Sequence, residues 1–190
     1  MAEFRLETDR LILRDWREED WEPFWQGTNT PSVMRWLGGV LDEEGMAAAR
    51  ARLEKYRRDA GHTFWVVERK EDRAILGFCG IKLCTEEKGP LGTPELGYRF
   101  REDAWGKGYA REAASASLAA GFGQLGAEEI VALTVEGNTG SWGLMERLGM
   151  ERRPELDFPE TMWAQDYGPV IVYSITRPAW EARTRQAEHG

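Results

Sequence analysis

The chain has 190 residues, 42 % of them apolar and 31 % charged, with a formal net charge of −8. That length and mix predict one globular domain, spanning 1–190, with a buried core, and they exclude a disordered chain. The acidic balance argues against nucleic acid as a partner, and no apolar run approaches the ~18 residues of a membrane span.

Phe4 to Asp15 reads as a first strand, with Leu6, Leu11 and Leu13 among Arg10, Ile12 and Arg14. Trp16 to Gln26 is short, acidic and aromatic, and reads as helix until Asn29-Thr-Pro31 breaks it. Asp42 to Arg58 is a stronger helix, with Met46, Ala49, Leu53 and Tyr56 on one face and Gly61 past its end. Three strands follow: His62 to Arg69, Ile75 to Thr85, and Glu95 to Phe100. The short connections between them predict an antiparallel meander.

Gly106 to Leu125 then reads as a helix whose buried face is mostly small: Ala110, Ala113, Ala114, Ser117, Leu118, Gly121, Phe122 and Leu125. Ile130 to Val135 is apolar almost throughout, as expected of a strand covered on both faces. Ser141 to Leu148 is a short helix closed by Gly149. Met150 to Arg153 and Pro169 to Ile175 supply later strands, and Pro178 to Glu188 is a polar C-terminal helix. The order predicts an α/β fold: a mixed, mostly antiparallel sheet with helices on both faces.

The most informative segment is Arg101-Glu-Asp-Ala-Trp105-Gly106-Lys107-Gly108-Tyr109-Ala110-Arg111-Glu112. A strand ends, a glycine-rich loop follows, and a helix starts at once. The first helical turn has N–H groups without intrahelical acceptors at the positive end of the helix dipole. Glycines let the backbone approach a ligand, so the junction suits a pyrophosphate, with Lys107 and Arg111 adding charge. The kinase-type phosphate loop is absent, because no Ser or Thr follows a Gly-Lys pair. A tight turn remains the alternative reading.

Four segments together resemble the GNAT N-acetyltransferases, and within them the ribosomal-protein N-terminal (RimJ/RimL-like) subgroup. They are Leu6-Glu-Thr-Asp-Arg10-Leu-Ile-Leu-Arg14, Glu95-Leu-Gly97-Tyr98, Trp105-Gly-Lys-Gly108-Tyr-Ala110, and Asn138-Thr-Gly-Ser141 with Glu146-Arg-Leu-Gly149-Met150. The resemblance covers nearly the whole chain. It departs where the family loop usually begins with Gln or Arg, here Trp105, and where an aromatic usually follows Gly149, here Met150. No Tyr stands in the late helix, where many members place a catalytic acid.

The resemblance implies acetyl-CoA as cosubstrate, held by Trp105, Gly106, Lys107, Gly108, Tyr109, Ala110, Arg111 and Asn138, with no metal. It implies that the strands at Glu95–Phe100 and Ile130–Val135 splay apart around the pantetheine arm. The acceptor is an amine, on a protein N-terminus or a small molecule such as a polyamine or aminoglycoside, which must attack in its neutral form. An α-amine of pKa near ~8 is roughly a tenth neutral at pH 7, and a lysine far less. Glu95 is the candidate base, or else an edge carboxylate in a salt bridge. Ser141 is the candidate acid, or else a helix N-cap. Asn138 contacts the cofactor or simply holds its turn. Tyr98 and Trp142 read as packing residues.

Cys79 and Cys84 read as packing residues on opposite faces of a strand, with no second pair to complete a zinc site. His62 and His189 have no partner in sequence, which disfavours a histidine-activated nucleophile. Trp21, Trp25 and Trp36 lie where this family shapes its acceptor pocket, although core packing accounts for each. The charged N-terminus is unlike a signal peptide, so a cytoplasmic protein is expected. The resemblance also raises a homodimer. A non-catalytic acyl-CoA-binding module and a structural partner with a vestigial loop are the competing readings.

Overall fold

The computed structural model describes residues 3–188 apart from Glu160 and Met162. The strands are β1 (Arg5–Glu7), β2 (Leu11–Arg14), β3 (Phe64–Arg69), β4 (Ile75–Leu83), β5 (Pro94–Phe100), β6 (Glu129–Val135), β7 (Glu151–Arg152) and β8 (Val170–Thr176). The helices are α1 (Trp21–Thr28), α2 (Pro31–Met34), α3 (Glu43–Ala60), α4 (Tyr109–Gly123), α5 (Thr139–Arg147) and α6 (Arg177–Glu188). The strands form one sheet in the order β1-β2-β3-β4-β5-β6-β8-β7. Every neighbouring pair is antiparallel except β5 and β6. His189 lies outside the described residues.

The predicted first strand is two strands. Thr8, Asp9 and Arg10 turn the chain, and Leu6 faces Leu13 across the hairpin. The sequence carries the reason: Leu6 is out of phase with Leu11 and Leu13, and a strand of period two cannot bury all three on one face. The Thr8 hydroxyl accepts the Leu11 N–H at 3.0 Å and fixes the turn. The hairpin is tied to the sheet by Phe4, whose ring stacks on buried Trp65 at 3.9 Å.

A buried cluster of charge joins β2 to the start of α1. Arg14, 3 % exposed, grips Asp20 with two hydrogen bonds of 2.7 and 2.8 Å and reaches Glu68 on β3 at 3.0 Å. α3 begins as its sequence dictates: Asp42 caps it by accepting the Gly45 N–H at 2.8 Å, and Gly61 closes it at φ 79°. α4 lies close on the sheet because its inner face is small. A Cβ added to Gly121 would come within 2.6 Å of Ile130. The helix runs from Tyr109 to Gly123, shorter than the predicted Gly106–Leu125, and Leu125 points outward at 37 % exposure because the helix has already ended.

The two faces of the sheet differ. On one, a single continuous core joins Leu11, Trp65, Ile81, Leu96, Leu118 and Ile130 beneath α4 and α5. On the other there are two separate clusters. Phe24, Leu53, Phe64 and Phe78 pack under α1 and α3, while Val131, Val135, Phe158 and Val172 pack over β6 and β8. The division between them follows the β5–β6 boundary.

Candidate active site

In the meander β3–β4–β5, the last two strands are in continuous register from Leu83 opposite Pro94 to Gly77 opposite Phe100, while β3 and β4 slip once between Val67 and Glu68. On the other side, β6 and β8 match over seven positions, from Glu129 opposite Thr176 to Val135 opposite Val170. Between these blocks, β5 and β6 share one ladder pair, Glu95 opposite Val131. Beyond it the strands part. The expected splay is therefore present, and it opens at Glu95.

The C-terminal end of β5 leads into the glycine-rich loop. Gly106 and Gly108 have φ of 70° and 81°, left-handed values that favour glycine. Gly108 occupies the N-cap of α4 with no side-chain cap, and the first helical bond runs from the Glu112 N–H to the Gly108 carbonyl at 3.0 Å. The N–H groups of Tyr109, Ala110 and Arg111 are left without helical acceptors. Gly106, Lys107, Gly108 and Arg111 are exposed, and nothing lies within 4 Å of where a Gly106 Cβ would stand. These are the features a pyrophosphate needs, so the residues present fit coenzyme A. Tyr109 is buried at the start of the helix. Trp105 is 48 % exposed and anchored by its indole N–H on the Phe100 carbonyl at 2.9 Å.

Arg10 holds this loop, a role its sequence context does not reveal. It donates to the Lys107 carbonyl at 2.9 Å, pairs with Glu112 at 2.7 Å, and stacks 4.4 Å from the Tyr109 ring centroid. Burial raises the Glu112 carboxyl, but hydrogen bonds from Thr8 and from Arg10 outweigh it and hold that group below its ordinary range.

Glu95 is neither at an edge nor exposed. It is 9 % exposed on an interior strand and forms a 2.5 Å ion pair with Lys82, its register partner on β4. Burial pushes its pKa upward, and the Lys82 ammonium opposes that shift. No sequence motif marks Lys82, because the pairing exists only across the strand register. Its ammonium lies 5.3 Å from the Tyr56 ring centroid and 5.8 Å from that of Phe64.

Ser141 is not the N-cap of α5. Asn138 is: its side-chain oxygen accepts the Ser141 N–H at 3.4 Å, so Asn138 does hold its turn. The Ser141 hydroxyl lies 3.1 Å from the Tyr98 hydroxyl, which donates to the Ser141 carbonyl at 3.0 Å. Tyr98 is thus more than packing: it ties β5 to α5 by its hydroxyl. Burial raises its pKa, and the Ser141 hydrogen bond opposes that shift. Tyr98 packs on the α4 side of β5 and Glu95 on the α3 side, so the two approach the splay from opposite faces.

The other candidates settle as packing. Cys79 and Cys84 are free and buried, and burial pushes their thiols up to about 12 and about 11, which makes poor nucleophiles. The His62 ring nitrogen Nδ1 sits 2.6 Å from the Ile81 carbonyl. Trp21 and Trp25 belong to the cluster under α1, whereas Trp36 covers Gly137, where a Cβ would meet its ring at 2.7 Å. Trp142 donates to the Glu136 carbonyl at 3.0 Å. Among the described residues there is no metal-binding cluster of His, Cys, Asp and Glu, and no helix is long and apolar enough to cross a membrane.

An acetyltransferase (GNAT) domain family matches residues 10–151, which include the glycine-rich loop and both strands of the splay. The chain belongs to the GNAT family. This GNAT protein is an acyltransferase of a family that uses acetyl-CoA. The uncharacterised N-acetyltransferase YnaD of Bacillus subtilis is 33 % identical over 146 residues, covering 76 % of this chain and 81 % of YnaD. A GNAT acetyltransferase structure from Bacillus anthracis superimposes with a TM-score of 0.74 at 25 % identity, over 91 % of this chain and 98 % of that one. The ribosomal-protein-S5-alanine acetyltransferase of Vibrio fischeri shares the fold at a TM-score of 0.72 and 16 % identity, over 93 % and 98 % of the two chains.

Proposed function

We propose that this GNAT enzyme acetylates the α-amine at the N-terminus of a protein or peptide, with Glu95 as the general base. The observation that carries the reading is the place of Glu95: a buried carboxylate at the one ladder pair from which β5 and β6 diverge. Gly106 to Arg111 and Asn138 would hold the cosubstrate, which supplies an acetyl group activated as a thioester. The residues of the chain do the rest. Glu95 takes the proton from the attacking ammonium. Lys82 favours the ionised carboxylate against the effect of burial and fixes it in direction. On the opposite face of β5, the Ser141 hydroxyl, whose proton rests on the Tyr98 oxygen, turns that proton to the departing thiolate.

The α-amine is preferred for two reasons. It is the amine most readily deprotonated by a carboxylate near neutral pH, and the chain resembles the ribosomal-protein N-terminal subgroup. The Vibrio fischeri protein, named for acetylating a ribosomal protein, lends support through a shared fold alone. A polyamine fits less well, because its primary amines, like that of lysine, are far more rarely neutral at that pH.

The test is thiol release from acetyl-CoA with peptides whose N-termini are free or blocked. Free peptides should react and blocked ones should not. Glu95→Gln should lower kcat about 100-fold while leaving acetyl-CoA affinity unchanged. A kcat within a few-fold of wild type would remove Glu95 from the reaction.

A further inference from the structure

Arg99 has the surroundings of an arginine that awaits an anion. It is half-buried on β5, on the same face as Glu95 and Gly97, with its guanidinium 5.3 Å from the Phe78 centroid and 5.8 Å from that of Phe24. Its Nε is buried without a hydrogen-bond partner. Among the described residues no carboxylate pairs with it, although the chain carries 33 acidic residues. The charged group acting on it is another cation, Arg52 on α3; with burial as the larger cause, its pKa is pushed down to about 10. A desolvated guanidinium is costly unless its donors are met. The aromatic rings satisfy its faces, not its N–H groups. Its strand borders the division between the two clusters on the acceptor-side face.

We propose that Arg99 is a specificity-determining residue that binds a carboxylate on the acceptor, so that the enzyme selects peptides with an acidic residue near the amine it acetylates. The inference rests on the functional reading above. Glu95 and Arg99 stand four residues apart on one strand face, about 13 Å at ~3.3 Å per residue. The Phe64 ring covers Gly97 between them, so the peptide passes over that ring, and an extended chain covers the span in about four residues. The acid therefore belongs at the third or fourth position from the reacting nitrogen. Planar, forked donors favour a carboxylate over any neutral oxygen there.

The experiment compares Ala-Ala-Glu-Ala-amide with Ala-Ala-Gln-Ala-amide, and the same pair with the acid moved to position four. In the wild type, kcat/KM should favour Glu about tenfold or more in at least one pair. In Arg99→Met that ratio should fall to near one, and Arg99→Lys should keep part of it. The affinity of Arg99→Met for acetyl-CoA should match wild type, and its Tm should be unchanged or higher. A wild-type ratio near one, or a ratio that survives Arg99→Met, overturns the proposal. A parallel loss of acetyl-CoA affinity also overturns it, by assigning the anion to the cosubstrate phosphates. The Kd values of the N-acetylated peptides for the CoA-loaded protein provide a second readout that needs no turnover. If no peptide reacts but acetylated Glu peptides still bind about tenfold better through Arg99, the inference stands and the proposed acceptor reaction falls. Equal Kd values for the acetylated Glu and Gln peptides overturn the inference whatever the turnover.

Discussion

Lys82→Met should change the pH dependence of both rate and stability through a single group. Lys82 and Glu95 are each under a tenth exposed, and their charges meet at 2.5 Å. At an effective dielectric of about 20, two charges some 4 Å apart attract by about 4 kcal/mol. Each 1.36 kcal/mol of differential interaction moves a pKa by about one pH unit. Relaxation and entering water recover part of this, so the acid limb of kcat/KM should move upward by at least about one pH unit. The sign follows from the chemistry. Burial already raises Glu95 against the opposition of Lys82, and removing the ammonium leaves only the weaker Cys84 hydrogen bond to oppose it. The neutral carboxyl then needs no counterion. The stability lost in Lys82→Met should be small at low pH, where Glu95 is protonated, and should grow as pH rises through the raised pKa, towards the 3–5 kcal/mol typical of a broken buried pair. The assay is thiol release from pH 5 to 9 at saturating acetyl-CoA, paired with urea melts across the same range. The limb set by the acceptor amine near pH ~8 is common to both proteins and serves as an internal reference. Superimposed acid limbs, or a stability deficit that does not vary with pH, would refute the coupling of Lys82 to Glu95.

Two further outcomes are expected. Gly108→Glu places a charged side chain at a left-handed position beside the helix opening, 3.3 Å from Arg10 at its Cβ; calorimetry should show acetyl-CoA affinity reduced by at least about tenfold, with the far-ultraviolet dichroism unchanged. Asp20→Ala removes two of the hydrogen bonds at the Arg14 tip and leaves a cation that is 3 % exposed with Glu68 as its one carboxylate, beside the Asp15 carbonyl. Its urea unfolding should be easier by about 3–5 kcal/mol, and a loss under 1 kcal/mol would show that water or Glu68 makes good the missing partner.

Much of the fold could be read from local chemistry. Asp42 and Gly61 bracket α3 because a cap and a left-handed glycine act within a turn of themselves. The apolar run at β6 and the small face of α4 announce burial in the same way. What escaped depends on distances that sequence spacing does not encode. The Lys82–Glu95 pair exists because the loop after β4 returns β5 in that register and no other. Arg10 reaches Lys107 and Glu112 across about a hundred positions. Ser141 was ambiguous for another reason: Asn138 and Ser141 are comparably good caps, and three residues separate them. Two further features are legible in the sequence itself. The phase slip between Leu6 and Leu11 marks the hairpin turn, and the alternation of Glu95, Gly97 and Arg99 places the arginine on the acid's face.

A sheet usually has two rims, and proteins guard them against strangers. This one has a third, internal rim where β5 and β6 separate after a single shared pair. The core beneath α4 and α5 closes one face of it, and the two clusters of the other face stand on either side. What remains is a slot whose gauge, more than its side chains, decides what enters: something slender, unbranched, and carrying amides of its own to complete the broken ladder.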